Sequence, residues 1–251
     1  KKNGFYGFFK DEFKKYKNIT TNNVEIKKID LKNKIITYND NTRNYDKIYS
    51  TIPLPEFQKY INFPKKIKSC LSALEYTSLY MINIIIKKDV LKYDHDWNYV
   101  YDKNTNISRI SILNNISSKR KNQNTALQLE IFKLGKKNHK LNIKREISNF
   151  TKMFKIQDSD IIAYDSKFVK FSYIISKKSN KSNVNIIKEY LNRHGIYPFG
   201  LYGDWIYYWS DQSFMKGMSF GKKFNNKWIG QYLINKLTEW FYKKKVTRYQ
   251  F

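Results

Sequence analysis

Apolar residues along the chain switch repeatedly between helical and alternating spacing. Phe8, Phe9, Phe13 and Tyr16 recur at helical spacing within Gly7–Lys17, which predicts an amphipathic helix. Val24, Ile26 and Ile29 then fall between polar residues, and a Lys-Asn turn leads to a second short apolar run. Val24–Asp30 and Lys34–Tyr38 are therefore expected to pair as a hairpin. Asn39–Asn44 is wholly polar and reads as a loop. The run Lys47–Ile52 reads as a buried strand that stops at Pro53, because proline has no N–H to give to a ladder, and a short helix is expected near Glu56–Ile61.

Beyond residue 75 strands dominate the pattern. Tyr76–Lys87 reads as a long strand, Trp97–Tyr101 and Ile107–Leu113 alternate, and Thr125–Leu134 fits strand or helix, with Leu127, Leu129 and Ile131 favouring a strand. Lys140–Phe154 is helical, with Leu141, Ile147, Phe150 and Phe154 on one side. Strands are expected at Ile161–Tyr164 and Val169–Ile175, followed by a polar loop, Ser176–Ser182. Val184–His194 reads as a helix closed by Gly195, and Asp211–Phe224 as another, with Ser210 or Asp211 as its cap. A last helix is expected over Lys227–Lys243. Strands and helices in this mixture make an α+β chain with a mixed β-sheet and flanking helices.

Composition narrows the function less than it first suggests. The 251 residues carry 48 Lys+Arg against 21 Asp+Glu, a formal charge of +27, which raises binding of nucleic acid or another polyanion. Its best segments are Lys119-Arg120-Lys121, Lys136-Lys137 and Lys243-Lys244-Lys245. Lysine is nevertheless spread evenly and interleaved with Asn, Ile, Tyr and Phe, as an A/T-biased coding sequence would give, and arginine, the residue that reads bases, is scarce. A nucleic-acid partner is therefore open but not favoured. No apolar run approaches the roughly 20 residues that span a bilayer. Cys70 is the one cysteine, so a disulfide within the chain is excluded and a reducing, cytoplasmic setting is expected. It is expected to be a small buried hydrophobe. His95, His139 and His194 stand apart, which argues against a histidine-rich metal site. The start, Lys1-Lys2-Asn3-Gly4, has no initiator Met or signal-like apolar stretch and reads as that of a fragment or processed piece.

Three runs carry a resemblance. The first comprises Val24-Glu25-Ile26-Lys27-Lys28-Ile29-Asp30 and Tyr45-Asp46-Lys47-Ile48-Tyr49-Ser50-Thr51-Ile52-Pro53; the second is Trp97–Ser111, with Trp97, Tyr99 and Tyr101 followed by Arg109 and Ser111. The third and most specific is Gly200-Leu201-Tyr202-Gly203-Asp204-Trp205-Ile206-Tyr207-Tyr208-Trp209-Ser210-Asp211-Gln212-Ser213-Phe214-Met215-Lys216-Gly217. In this order they resemble the later half of the FAD-dependent amine oxidase superfamily, especially its protoporphyrinogen-oxidase-like and UDP-galactopyranose-mutase-like members.

The resemblance implies a substrate-binding sheet joined to the C-terminal portion of an FAD-binding, Rossmann-like domain whose N-terminal half is missing. Residues 1–55 would be a partial FAD-binding region, 56–195 the substrate-binding sheet domain, and 196–251 the closing flavin motif with C-terminal helices. FAD contacts would fall at Val24, Gly200, Gly203, Trp205, Asp211, Gln212 and Ser213, and a small-molecule substrate would meet Arg109, Tyr99 and Tyr207, with Tyr101 nearby. In such a motif a glycine turn lets backbone approach a flat ring, aromatics wall it, and a helix N-terminus faces its electron-rich side. An ordinary strand–turn–helix is the plain alternative. Arg109 is otherwise a surface arginine, and Glu130 the ion-pair partner of a lysine. Two departures stand out: the Gly-x-Gly-x-x-Gly fingerprint does not occur, and Leu201 stands where the motif usually has Arg. A second polypeptide or upstream segment is therefore expected to supply the dinucleotide-binding half. The activity implied is flavin-mediated oxidation or nucleotide-sugar rearrangement; the competing class is a non-catalytic basic module on the same scaffold.

Overall fold

A computed structural model describes residue 14 and residues 24–88, 94–116, 124–135 and 140–224. The helices expected at Gly7–Lys17 and Lys227–Lys243, and the three basic runs, lie outside the described residues. Along the chain the strands are β1 (Ile26–Asp30), β2 (Ile35–Tyr38), β3 (Asn41–Asn44), β4 (Ile48–Ser50), β5 (Thr77–Ile86), β6 (Trp97–Tyr99), β7 (Arg109–Ile112), β8 (Thr125–Leu134), β9 (Ile161–Val169) and β10 (Ile196–Pro198). The helices are α1 (Lys65–Ala73), α2 (Leu113–Ile116), α3 (Ile143–Phe154), α4 (Lys178–Arg193), α5 (Gly200–Asp204) and α6 (Ser210–Phe224). Contacts divide the described residues into two compact units: Val24 with Glu75–Ile175, and Glu25–Leu74 with residues 176–224. Residues 56–74 and 176–195 thus belong to the second unit.

The first unit is one five-stranded sheet in the order β6-β7-β8-β5-β9. Every pairing in it is antiparallel, whereas a mixed sheet was expected. A parallel neighbour needs a crossover connection of a dozen residues or more, and β4 finds one elsewhere, in β10. Alternation puts Ile82, Ile84 and Ile86 of β5 on one face with Ile110, Ile112, Leu127, Leu129 and Ile131. That face is covered by α3, which contributes Ile147 and Phe150.

The ends of α3 explain its placement. Asn142 caps it by accepting from the Arg145 N–H, and Lys155, at φ 53°, ends it in the left-handed region. Glu146, fully buried in its first turn, accepts from the Thr105 hydroxyl (3.1 Å), the Asn106 N–H (3.1 Å) and the Asn106 side-chain amide (2.7 Å). The loop before β7 is thereby tied to the helix that covers the core. Burial pushes the Glu146 carboxyl up, but hydrogen bonds from Asn106, Arg145 and Thr105 outweigh it and hold the group below the usual carboxylate range.

Of the two strands expected at Ile161–Tyr164 and Val169–Ile175, the first lengthens into β9 through the polar stretch Asp165–Lys167, which an edge strand exposed over almost its whole length accommodates. The second does not form as a strand; beyond Val169 the chain is held by the Ser172 N–H donating to the Thr77 carbonyl (2.8 Å) and by an isolated bridge between Tyr76 and Ile174. The strands meant for Tyr76–Lys87 and Thr125–Leu134 form as β5 and β8.

In the second unit the expected hairpin forms as β1 and β2, and the polar stretch read as a loop adds β3 to it. Backbone pairing is indifferent to side-chain polarity on a face fully open to solvent. β4 and β10 pair in parallel, Ile48 opposite Ile196. Helix α1 carries Ile67, Cys70 and Leu71 inward, and α4 carries Val184, Ile187 and Leu191. These two helices pack together. The stretch 176–182, expected to be a loop, already enters α4 at Lys178, and Asn180 there is buried.

Candidate functional site

The face of the sheet turned away from α3 carries the polar chemistry of the first unit. Register places Tyr99 opposite Arg109, Arg109 opposite Glu130, Glu130 opposite Met81, and Met81 opposite Lys167. The next row is Trp97, Ser111, Gln128, Asn83 and Asp165. Trp97 and Tyr99 are among the exposed large side chains, at 48% and 60%, so the rows end in an open aromatic edge. Tyr101 continues beyond β6 and is almost wholly exposed.

Arg109 is brought to this face as expected, but its guanidinium is engaged. Nε donates to Glu130 Oε2 at 3.1 Å, and Nη2 to both Glu130 oxygens at 2.8 and 2.7 Å. Tyr99 lies across from it in the strand register. The Glu130 hydrogen bond, ahead of an opposing effect of burial, holds the guanidinium above its ordinary value. Glu130, expected to pair with a lysine, pairs with Arg109 because the register places them side by side. The amides beside them are also ordered: Gln128 Nε2 donates to Asn83 Oδ1 (3.1 Å), and Asn83 Nδ2 donates to Asp165 Oδ1 (2.9 Å).

The closing motif folds within the second unit. Gly195 leaves α4 at φ 77°, β10 follows, and Gly200 opens α5 at φ 74°. A Cβ at Gly200 would meet, among the described residues, the Thr51 methyl at 3.9 Å, so this backbone can be approached closely. Gly203 differs: a Cβ there would lie 2.8 Å from the Pro198 carbonyl carbon, and the glycine serves that contact. Trp205 is buried, and its backbone is left-handed (φ 53°).

The exposed aromatics of this turn are Tyr207 and Trp209, edge to face at 6.0 Å. Asp204 staples the turn, pairing with Lys188 of α4 and accepting from the Tyr208 hydroxyl at 3.2 Å. Burial, with the Asp204 charge and hydrogen bond, pushes the Tyr208 phenol up to about 12. Ser210 is the first residue of α6 rather than its cap, since Gln212 reaches back to accept from the Trp209 N–H at 2.9 Å. Asp211 and Gln212 are exposed in the first turn of α6 and Ser213 is half-buried; Val24 precedes β1 and is 38% exposed.

The structure thus groups Tyr99 and Arg109 on the sheet, and Gly200, Gly203, Trp205, Tyr207, Asp211, Gln212 and Ser213 in the closing turn. Sequence reasoning missed Asn83, Gln128, Asp165 and the Asp204 staple. Alternation could have placed Asn83 and Gln128 on the polar face, but strand register was needed to join them. Among the described residues no cluster of His, Cys, Asp and Glu could hold a metal ion.

Over 81% of its length the chain superposes on reduced UDP-galactopyranose mutase with a TM-score of 0.66 and 18% identity. The fold is the one the three sequence runs resemble. A second solved structure, described as a protoporphyrinogen oxidase from Exiguobacterium sp. 255-15, matches 75% of the chain with a TM-score of 0.57 and 13% identity. The chain spans 46% and 44% of those two proteins, somewhat under half of each. No family model matches the sequence, and no curated protein matches it. Among the described residues no helix is long and apolar enough to cross a membrane.

Proposed function

We propose that this chain is the substrate-sheet and closing-turn portion of an FAD-dependent enzyme, completed by a segment that carries the dinucleotide-binding fingerprint. The observation that carries this reading is the extended likeness to UDP-galactopyranose mutase, which includes both the antiparallel-sheet unit and the unit holding the closing turn. A flavin, when bound, supplies two-electron redox chemistry or, in its reduced form, the rearrangement of a nucleotide sugar.

The closing turn fits such a group in its own geometry. Gly200 leaves backbone open to close approach, Tyr207 and Trp209 offer exposed ring faces, and α6 presents the free N–H groups of a helix start. Leu201 contributes no charge, so polar contact would come from backbone and from Asp211, Gln212 and Ser213. Gly203 and Trp205 act behind this surface, one through Pro198 and the other in the core, and so position it. The sheet face holds the substrate, with Tyr99 and Trp97 at its rim.

In flavin-loaded protein, Trp209→Ala is expected to weaken FAD retention about fivefold and to shift the visible flavin band, because an exposed ring contact is worth about 1 kcal/mol. Retention and band shape equal to those of the parent, with unchanged circular dichroism, would remove the closing turn from the flavin site.

A further inference from the structure

The sheet face is balanced in charge on a strongly basic chain. Its side of β5 to β9 carries two cations, Arg109 and Lys167, and two anions, Glu130 and Asp165, whereas the whole chain carries +27. The arginine that would hold an anionic substrate already donates to Glu130 through two nitrogens. Its partner is nearly inaccessible, with 6% of the Glu130 side chain exposed. Glu130 thus holds the Nε–Nη2 side of the guanidinium and balances its charge, so an arriving phosphate or carboxylate gains that fork only by displacing a bidentate ion pair and leaving a buried carboxylate behind.

The neighbouring row favours a different ligand. Asp165 accepts from Asn83, which fixes the Asn83 carbonyl to accept from Gln128. The Gln128 amide is therefore oriented with its nitrogen toward Asn83 and its carbonyl oxygen away from it. That oxygen is an acceptor not used by Asn83, and along the row Gln128 pairs with Ser111 and Ser111 with Trp97 at the aromatic edge. A group with N–H or O–H donors and a flat face matches this arrangement; an anion without donors does not.

We infer that the open face of the antiparallel sheet selects an uncharged, flat, donor-bearing ligand over an anionic one, with Gln128 as the specificity-determining acceptor and the Arg109–Glu130 pair as the element that rejects anions. This rests on the reading of that face as the ligand-binding face and is independent of flavin.

Calorimetric titration of the chain with two matched pairs tests it: uridine with UDP, and phenyl galactoside with phenyl phosphate. The uncharged member of at least one pair is expected to bind, as tightly as its anionic partner or more so, with little dependence on salt. Glu130→Gln, by releasing the guanidinium, is expected to improve the anion's affinity relative to its uncharged partner about tenfold. A wild-type preference for the anion by about tenfold, or failure of all four compounds to bind, overturns the inference. The wild-type comparison decides the matter even if Glu130→Gln does not fold. Because these titrations contain no flavin, a colourless protein that prefers the uncharged compound counts against the flavin reading alone, and a flavin-bearing protein that prefers UDP counts against this inference alone.

Discussion

Replacing Gly195 with alanine is expected to destabilise the protein by about 3 kcal/mol, from left-handed strain together with overpacking. The residue sits at φ 77°, and an added Cβ would lie 2.7 Å from the Asp46 carbonyl oxygen. That oxygen is backbone and cannot swing aside as a side chain would. Gly195 also joins α4 to β10, donating to the Asn192 carbonyl (3.0 Å) and accepting from the Ile48 N–H (2.8 Å), so strain there loosens the β4–β10 pairing that leads into the closing turn. Urea unfolding measures the effect. Gly217→Ala is the control: it lies within α6 with nothing within 4 Å of its added Cβ among the described residues, and a gain of up to about 1 kcal/mol is expected there. A loss below about 1 kcal/mol at Gly195 would mean that the turn relaxes around the methyl group.

Glu146→Ala is expected to cost about 3 kcal/mol, because it leaves three half-buried donors, the Asn106 N–H, the Asn106 amide and the Thr105 hydroxyl, without their acceptor. The carboxyl is held below its ordinary range in the folded state, so the stabilisation it provides is full above the unfolded value and is lost as pH falls through the folded one. Stability of the parent should therefore decline on the acid side of the usual glutamate range. Glu146→Gln, which cannot titrate, should flatten that decline while lowering stability at neutral pH. Parallel acid profiles for parent and Glu146→Gln would contradict the assignment.

What the sequence revealed follows from which interactions are local. The long apolar run of Tyr76–Lys87 and the Leu127, Leu129, Ile131 alternation were enough to find β5 and β8, because these residues feed one core. β3 was invisible, since Asn41–Asn44 buries nothing and is held by backbone pairing with β2 alone. The start of α4 was hidden by its polar first turns, whose residues are mostly exposed. At the site, glycine and aromatic spacing located the closing turn, but the burial of Trp205 and the close approach of Pro198 to Gly203 are set by contacts that spacing does not carry. Arg109 was found as a candidate, yet its engagement by Glu130 depends on a register set between residues 21 positions apart.

The central claim is that this chain forms part of a flavoprotein. Its most direct measurement is the flavin content of the protein purified after expression together with the coding sequence that adjoins it. A yellow preparation that releases FAD on denaturation, one per chain, is the expected result. A colourless preparation without FAD, folded by circular dichroism, would contradict it.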